Sequence, residues 1–320
     1  MRVAVVTTSW PDGAGDPSGH FVRAEARALE QDGHEVVVIA PPAGAGGAFG
    51  WPGVAARIRE RPARALDAAR WVLGARRRLG ELGARCRPGE LGARCWLGEL
   101  GKLGTERRIE RVIAHWAVPC AWPVAAGAAV PLEVVSHGGD VRLLARLPQP
   151  ARGVVVRAIA SRAHAWRFVS EPLMTELLVA LDRASRRRVE AIAVVRPALL
   201  EMPDVRDAVA LRRRALGGLR VAVSVGRLVA TKRVDRVIEH VARSGDVDAL
   251  VVVGDGPERA RLQRLARRRG VDARFVGTVA RDDALAWIGA AALLVHASEA
   301  EGLSTVVREA QALGTPVRVV

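Results

Sequence analysis

The first forty residues alternate between short apolar runs and an amphipathic stretch. Residues 3–8 and 35–40 are apolar and rich in valine, and residues 21–31 between them place apolar side chains at helical spacing. The order strand, helix, strand predicts a βαβ unit with parallel strands. Further strands are predicted at 111–114, 133–136 and 166–170.

The second half of the chain alternates more regularly. Its apolar runs and amphipathic stretches predict a doubly wound parallel sheet with helices on both faces. Prolines and paired glycines interrupt the pattern between residues 197 and 218, where we expect the linker. The fold class is therefore α/β, with two Rossmann-like doubly wound parallel-sheet domains at 1–200 and 201–320. We place the strands of the second domain at 221–225, 249–253, 274–276, 292–296 and 316–320, and its helices at 235–243, 258–269, 282–290 and 305–313.

Residues 112–132 contain no charged side chain and are long enough to span a membrane. Pro119, Pro123 and Pro131 interrupt the run, which favours a buried strand, a short helix and a second strand. At the N-terminus the apolar run is too short for a signal peptide and is predicted to form the first strand. We therefore expect a soluble protein.

Residues 43–111 depart from this alternation. They are rich in glycine and arginine and contain a nine-residue repeat that starts at Gly80, Gly89 and Gly98. The period matches neither a heptad nor a solenoid repeat, so we interpret it as a duplicated DNA segment. The arginines fit a basic helical surface that docks on anionic lipid or substrate, but a solvated helical insertion is the interpretation we favour.

Composition narrows the function classes. The formal net charge is +15, yet only Lys102 and Lys232 among the 49 basic residues are lysine, so a coding bias toward arginine explains the charge better than a polyanionic partner. Aromatic residues make up 4%, too few for the stacking platforms of single-strand binders, and we expect no specific nucleic-acid partner. Three cysteines without a paired spacing argue against a disulfide framework and fit the cytoplasm.

Four short segments follow predicted strands of the second half, where parallel sheets bind their ligands. The first, 226–232, contains Arg227 and Lys232, whose cationic groups can converge on a diphosphate. The second, 254–257, is a glycine-rich turn whose missing Cβ atoms let a ligand approach the backbone. The third is 275–279.

The fourth segment, 299–310, is the most informative. Residues 302–304 open a predicted helix, and their backbone N–H groups can bind phosphate. Glu301 precedes this helix and Glu309 lies about two turns further on, so the two carboxylates can reach different parts of one ligand. A pair of solvated helix carboxylates is the alternative, and we expect Glu309 to lie on an exposed helix face.

The order of these segments resembles the donor half of the retaining glycosyltransferases of family 4, also called glycosyl transferases group 1, which have the GT-B fold. The first half is similar too, and the resemblance covers most of residues 1–40 and 109–320. The matching segments of the first half are 11–22, 33–36, His115-Trp116-Ala117 and Ser136-His137-Gly138-Gly139-Asp140.

The resemblance implies two Rossmann-like domains that face each other across a cleft, with a nucleotide sugar bound mainly by the second. Arg227 and Lys232 would hold the diphosphate, Glu309 the ribose and Glu301 the transferred sugar. His137 would lie near the sugar, and Gly19 would belong to a loop that closes over donor and acceptor. The implied catalytic set is His137, Arg227, Lys232 and Glu301, and the implied donor-binding set is Gly19, Gly226, Gly254, Gly256, Val279, Gly302, Leu303, Ser304 and Glu309.

The resemblance also implies transfer with retention, without an essential metal or a cofactor, to a glycan, lipid or small-molecule acceptor. The basic insertion adds the expectation of peripheral contact with an anionic membrane, at its inner face. In the family, further elements follow the strand at 316–320, so we expect this chain to be truncated and its second domain incomplete. An inactive remnant that binds a nucleotide sugar or a membrane is therefore an alternative function.

A nicotinamide-dependent oxidoreductase is the other enzyme considered. Gly13 and Gly15 begin a G-x-G-x-x-G pattern, but Gly19 comes one residue late for its last glycine. Ala40 and Pro41 stand where an acidic residue for the ribose is expected.

Overall fold

The chain divides into two compact units, each built on one parallel sheet. The first consists of Met1–Asp12 and Ser18–Leu199, and the second of Gly13–Pro17 and Leu200–Val320. The computed structural model describes residues 1–11, 13, 16, 18–42, 48–49, 54–83, 108–298 and 303–320.

The first unit contains a six-stranded sheet in the order β2-β1-β3-β4-β5-β6, with all strands parallel. The strands predicted from the sequence are confirmed with small shifts at their ends. Strand β6 was not predicted, because it is a three-residue edge strand in which Val194 and Val195 are exposed. The strands are β1 Arg2–Val6, β2 Glu35–Ile39, β3 Arg111–His115, β4 Leu132–Ser136, β5 Ala163–Phe168 and β6 Ala193–Val195.

Helices surround this sheet. A helical segment at Ala117–Ala125 lies between β3 and β4, which confirms the strand–helix–strand prediction for residues 112–132. Among the described residues, no helix is both long and apolar enough to cross a lipid bilayer. The other helices of this unit are α1 His20–Gln31, α2 Val54–Glu60, α3 Arg64–Glu81, α4 Gly139–Arg146, α5 Gln149–Ala160, α6 Glu171–Ala180 and α7 Arg183–Glu190.

Helix α3 attaches the arginine-rich insertion to the first unit. It buries Ala75 and Leu79, and Arg76 Nη1 donates a hydrogen bond of 2.7 Å to the carbonyl oxygen of Pro123. This arginine is therefore part of the packing and not a solvated surface charge. Most of the nine-residue repeat lies outside the described residues.

The second unit contains a five-stranded parallel sheet in the order β11-β10-β7-β8-β9, which confirms the predicted doubly wound sheet. Strands β7 and β10 are neighbours, and the chain winds in opposite directions on the two sides of this pair. The strands are β7 Val221–Val225, β8 Ala249–Val253, β9 Ala273–Gly277, β10 Leu293–His296 and β11 Val317–Val319; the helices are α8 Arg206–Leu216, α9 Val234–Ser244, α10 Arg259–Arg268, α11 Arg281–Ala290 and α12 Thr305–Ala312.

Alternate residues of these strands enter two separate apolar clusters. Leu250 and Val252 of β8 pack in one cluster with α9 and α10, and Val251 and Val253 pack in the other with α11 and α12. Both faces of the sheet are therefore covered, which is why the strands read as continuous apolar runs in the sequence.

The boundary between the two units, Leu199 to Leu200, lies within the interval 197–218 where we expect the linker, and α8 occupies most of the second half of that interval. The helix packs closely on α11: a Cβ atom on Gly289 would lie 2.7 Å from Cγ2 of Val209. Arg213 Nη2 donates 2.7 Å to the Gly289 carbonyl oxygen, and the Arg212 guanidinium lies 4.2 Å from the centre of the Trp287 ring. None of the residues of α8 is buried, so its sequence carries no strong apolar stripe.

Candidate functional site

The carboxyl ends of β7 and β10 meet at the position where doubly wound sheets bind their ligands. The loop after β7 begins at Gly226 and ends in a short 3-10 turn, Ala230–Lys232. Leu228 is buried in the core of this unit and anchors the middle of the loop. The Lys232 side chain folds back so that its Cε would lie 4.0 Å from a Cβ atom placed on Gly226. Lys232 is thus brought next to Gly226, the first residue of the loop, and Arg227 is the following residue and is exposed.

His296 is a residue of this position that the sequence analysis missed. It ends β10 and is half-buried. Burial, and then the positive charge of Lys232, lower the pKa of His296 to about 4. The His296 ring is therefore neutral at neutral pH, and the positive charge of Lys232 contributes to this lowering of its pKa.

The glycines of the second segment have a packing role. Gly254 has φ +129° and Gly256 φ +158°, and Cβ atoms there would overlap the carbonyl oxygens of Gly226 and Leu228. The Leu228 amide donates 2.9 Å to the Asp255 carbonyl oxygen, so the loops after β7 and β8 interlock through their backbones. The space left by the missing Cβ atoms is filled by protein backbone. These glycines shape the loop that carries Arg227 and Lys232.

The third and fourth segments are placed only in part. Val279 is half-buried at the edge of an apolar cluster of the second unit. Leu303 and Ser304 are half-buried and directly precede α12. Glu301 and Gly302 lie outside the described residues.

Glu309 lies on α12 and is 7% exposed, so the expectation of an exposed helix carboxylate is wrong. Its Oε1 accepts hydrogen bonds from Arg281 Nη2 at 2.9 Å and Nε at 3.2 Å. Arg281, which is itself buried, also donates 2.7 Å to the carbonyl oxygen of Glu201. Burial raises the pKa of Glu309, and the positive charge of Arg281 opposes that rise. The pair could not be predicted from the sequence, because its members are 28 residues apart and lie on different helices.

In the first unit, the end of β3 and the loop after β4 bring two histidines together. Nδ1 of His115 lies 3.0 Å from Nε2 of His137, and the two rings stack with centres 5.2 Å apart. His115 is fully buried and His137 is partly exposed. The rings of Phe21 and Trp116 lie 4.7 and 4.9 Å from that of His137.

Asp140 fixes the loop that carries His137. Its Oδ1 accepts from the backbone N–H groups of His137 at 3.2 Å and Gly138 at 3.1 Å, and its Oδ2 accepts from that of Ala117 at 2.8 Å. The carboxylate therefore ties the loop after β4 to the helical segment after β3.

Gly19 is the residue before α1, with φ +64°. A Cβ atom at this position would overlap the carbonyl oxygen of Ser9. The close approach of Ser9 therefore requires glycine here, independently of any ligand.

A buried charge network lies under the histidine pair, and the sequence analysis did not identify it. Arg167 of β5 contacts Glu25 of α1 and places its Nε 3.1 Å from Oε1 of Glu133 in β4. Glu133 also contacts Arg111 and lies 3.3 Å from Arg196. The signal in the sequence was a charged residue inside each of these apolar strands.

Residues 212–319 match the family model described as glycosyl transferases group 1. The chain is 30% identical over 209 residues to TuaC of Bacillus subtilis (strain 168), whose name assigns it to teichuronic acid biosynthesis, covering 64% of this chain and 51% of TuaC. It is 38% identical over 115 residues to a GDP-mannose-dependent alpha-mannosyltransferase of Mycobacterium tuberculosis, covering 36% of this chain and 29% of that protein. The chain thus spans about half or less of the curated relatives that it matches.

The fold has solved counterparts. The crystal structure of HepE of Anabaena in complex with UDP-glucose matches 100% of this chain and 80% of that one, with a TM-score of 0.62 and 17% identity. The likeness concerns the fold, which is the α/β arrangement of two Rossmann-like domains found in GT-B proteins. Residues 212–319 of this chain are therefore similar to the glycosyl transferases group 1 domain, and the fold of the chain is similar to that of HepE.

Proposed function

We propose that this chain transfers a sugar from a nucleoside diphosphate sugar to a hydroxyl group of a glycan, lipid or small-molecule acceptor, with retention at the anomeric carbon. The observation that carries the proposal is the position of Lys232, whose side chain lies against Gly226, the residue before Arg227, where the carboxyl ends of β7 and β10 meet. That sheet lies in the segment with the family match. Two positive groups in one loop at the carboxyl end of a parallel sheet suit a diphosphate.

The largest catalytic contribution required of the protein is stabilisation of the departing diphosphate. When the bond between sugar and diphosphate breaks, negative charge develops on the phosphate oxygens, and preorganised positive groups stabilise it. In our proposal Arg227 and Lys232 supply this charge, the backbone around Gly302, Leu303 and Ser304 adds N–H donors, and Glu301 contacts the transferred sugar. No metal or cofactor is required in this scheme.

Glu309 would bind the ribose of the nucleotide. A carboxylate accepts hydrogen bonds from two neighbouring hydroxyl groups, which suits a ribose diol. Arg281 occupies Oε1 with two hydrogen bonds and so fixes the orientation of the carboxylate. UDP and GDP share the ribose and the diphosphate, which is consistent with the donors named for HepE and for the mycobacterial relative.

A peripheral membrane contact of an enzyme in the cytoplasm belongs to the same proposal. Four residues of α3 recur at helical spacing, so they share one face of the helix, and all four are exposed. An apolar face that also carries arginine suits the surface of an anionic membrane. The four residues are Leu66 at 61%, Arg70 at 79%, Leu73 at 67% and Arg77 at 83% exposure.

Donor turnover tests the enzymatic proposal. The purified protein is incubated with labelled UDP-glucose or GDP-mannose, with and without candidate acceptors, and release of UDP or GDP is measured. We expect release from one of them by the unmodified protein and a large loss in Lys232→Ala. Binding of UDP or GDP without any turnover would instead support the non-catalytic nucleotide-sugar-binding alternative.

A further inference from the structure

In the contact between His115 and His137, one ring must donate the hydrogen bond and the other must accept it. Two neutral imidazoles 3.0 Å apart share one hydrogen bond, in which one ring donates and the other accepts. Burial, and then the positive charge of Arg167, lower the pKa of His115 to about 3. Burial, and then the neighbouring His115, lower the pKa of His137 well below its usual value. Both rings are therefore neutral at neutral pH, and each carries a single N–H.

The environment of His115 decides which ring donates. Its Nε2 is buried, has no hydrogen-bond partner among the described residues, and faces Oε2 of Glu25 at 3.9 Å. An N–H group pointing toward this carboxylate is favoured over a lone pair pointing toward it. The single proton of His115 thus belongs on Nε2, which leaves Nδ1 as an acceptor. His137 must then donate from its Nε2.

We propose that His115 is a positioning residue that holds His137 in the tautomer with a protonated Nε2 and an unprotonated Nδ1, so that His137 accepts a hydrogen bond from a ligand hydroxyl group. Nδ1 of His137 then carries a lone pair and no proton. It can accept a hydrogen bond from a sugar hydroxyl group and repels a phosphate oxygen. The hydrogen bond that His137 accepts from a ligand rests on the proposed transfer function. The tautomer of His137 does not depend on that function.

Glu25 and Arg167 extend this arrangement into the core. Arg167 is buried and contacts both Glu25 and Glu133, so the carboxylate that faces His115 is held in place. Asp140 holds the backbone of His137 from the other side. The ring of His137 is therefore fixed in position by Asp140 and in protonation by His115.

Nitrogen NMR of the ligand-free protein tests the tautomer directly. Protein labelled with 15N-histidine is recorded at neutral pH, and the ring signals of His137 and His115 are assigned by loss in His137→Gln and His115→Asn. We expect a protonated Nε2 and an unprotonated Nδ1 on both rings. A protonated Nδ1 on His137, or a doubly protonated ring, would overturn the proposal. The NMR sample contains neither sugar donor nor acceptor. A failure to detect sugar transfer in the separate activity assay would therefore count against the proposed function but not against this tautomer assignment.

Two substitutions of His115 separate positioning from general packing. The Oδ1 atom of asparagine takes the place of Nδ1 and accepts the hydrogen bond from His137, whereas leucine fills the space without an acceptor. We expect His115→Asn to keep the tautomer of His137 and most of kcat. In His115→Leu the ring should populate both tautomers and kcat should fall by about tenfold, the value of one hydrogen bond, with less change in KM. Equal losses in both variants, or an unchanged tautomer in His115→Leu, would contradict a positioning role.

Discussion

Glu309 and Arg281 form a buried ion pair in the second unit, with Oε1 of the glutamate 2.9 Å from Nη2 and 3.2 Å from Nε of the arginine. Both side chains are less than a tenth exposed. Arg281 has a further acceptor in the carbonyl oxygen of Glu201, so it remains partly satisfied when the carboxylate is neutralised. Oε1 of Glu309 accepts both of these hydrogen bonds from the one arginine.

This asymmetry predicts different costs for the two partners. Arg281→Met removes the positive charge and the two hydrogen bonds that Arg281 gives to a buried carboxylate, and should lower the free energy of unfolding by about 3–5 kcal/mol. Glu309→Gln keeps an acceptor for Arg281 and should cost about 1–2 kcal/mol. Urea unfolding of both variants checks the order. The deficit of Arg281→Met should shrink as the pH falls, because protonation of Glu309 removes the buried charge. Equal costs at every pH would contradict this account of the pair.

The glycine at position 254 should be irreplaceable for folding and not only for binding. A Cβ atom there would overlap the Gly226 carbonyl oxygen, so we expect Gly254→Ala to lower the free energy of unfolding by more than about 3 kcal/mol. Gly270 is the matched control, because it also has a positive φ, +68°, but open space around its Cβ position. Gly270→Ala should cost about 1 kcal/mol. Similar unfolding midpoints for the two variants would show that the loops adjust without cost.

His115 should make the protein sensitive to acid. Its pKa is lowered to about 3, whereas a histidine in the unfolded chain titrates at about 6.5. Between these values the unfolded chain binds more protons, so stability should fall as the pH falls, by up to about 1.4 kcal/mol per pH unit from this residue. The charged groups Arg167 and Glu25 face the ring, as does the neutral His137, whose own lowered pKa adds to the same fall in stability.

The contribution of His115 is isolated by substitution. Urea unfolding is measured from about pH 7 to about pH 4 for the unmodified protein and for His115→Asn, which has no titrating ring. We expect a shallower fall in His115→Asn. The exposed His164 supplies the control, and His164→Asn should leave the slope as it is. A slope unaffected by His115→Asn would mean that this ring does not titrate in the way described.

The apolar face of α3 predicts a measurable membrane contact. Leu66→Ser together with Leu73→Ser should reduce binding to vesicles containing phosphatidylglycerol by at least about tenfold, because two leucine side chains no longer enter the lipid. The matched control is Leu211→Ser on α8, which is exposed to 68% in the other unit. Co-sedimentation gives the bound fraction, with neutral phosphatidylcholine vesicles as reference. If the α3 and α8 variants bind equally well, α3 is a solvated insertion.

The sequence predicts the two sheets well because of how each strand is covered. Strand β8 is buried on both faces and therefore reads as the uninterrupted run Ala-Leu-Val-Val-Val. Helix α8 was missed for the opposite reason, since it packs on α11 through Val209, Arg212 and Arg213 and buries none of its own residues. The pattern of apolar residues along the sequence reports which side chains are buried. Helices and strands that bury few side chains are therefore not predicted from it.

The candidate site divides in the same way. Arg227 and Lys232 could be located from the sequence because they follow one predicted strand within a few residues. The partners of Glu309 and His137 could not, because Arg281 and His115 come from distant parts of the chain and only the sheet topology brings them near. The exposure of Glu309 was misjudged for this reason, as a lone helix carboxylate is ordinarily solvated.

The central claim is that Lys232 binds the diphosphate of a nucleotide at the switch point of the second sheet. Calorimetric titration of UDP and GDP into the unmodified protein, Lys232→Ala and Arg70→Ala tests it most directly. Arg70 is a highly exposed arginine of α3, and Arg70→Ala removes one positive charge away from the proposed site. Arg76 is unsuitable as a control because its side chain donates a hydrogen bond to the carbonyl oxygen of Pro123. We expect one of the nucleotides to bind, Lys232→Ala to weaken binding by about 2–4 kcal/mol, and Arg70→Ala to leave it unchanged. Equal small losses in both variants, or no binding of either nucleotide at millimolar concentration, would contradict the claim.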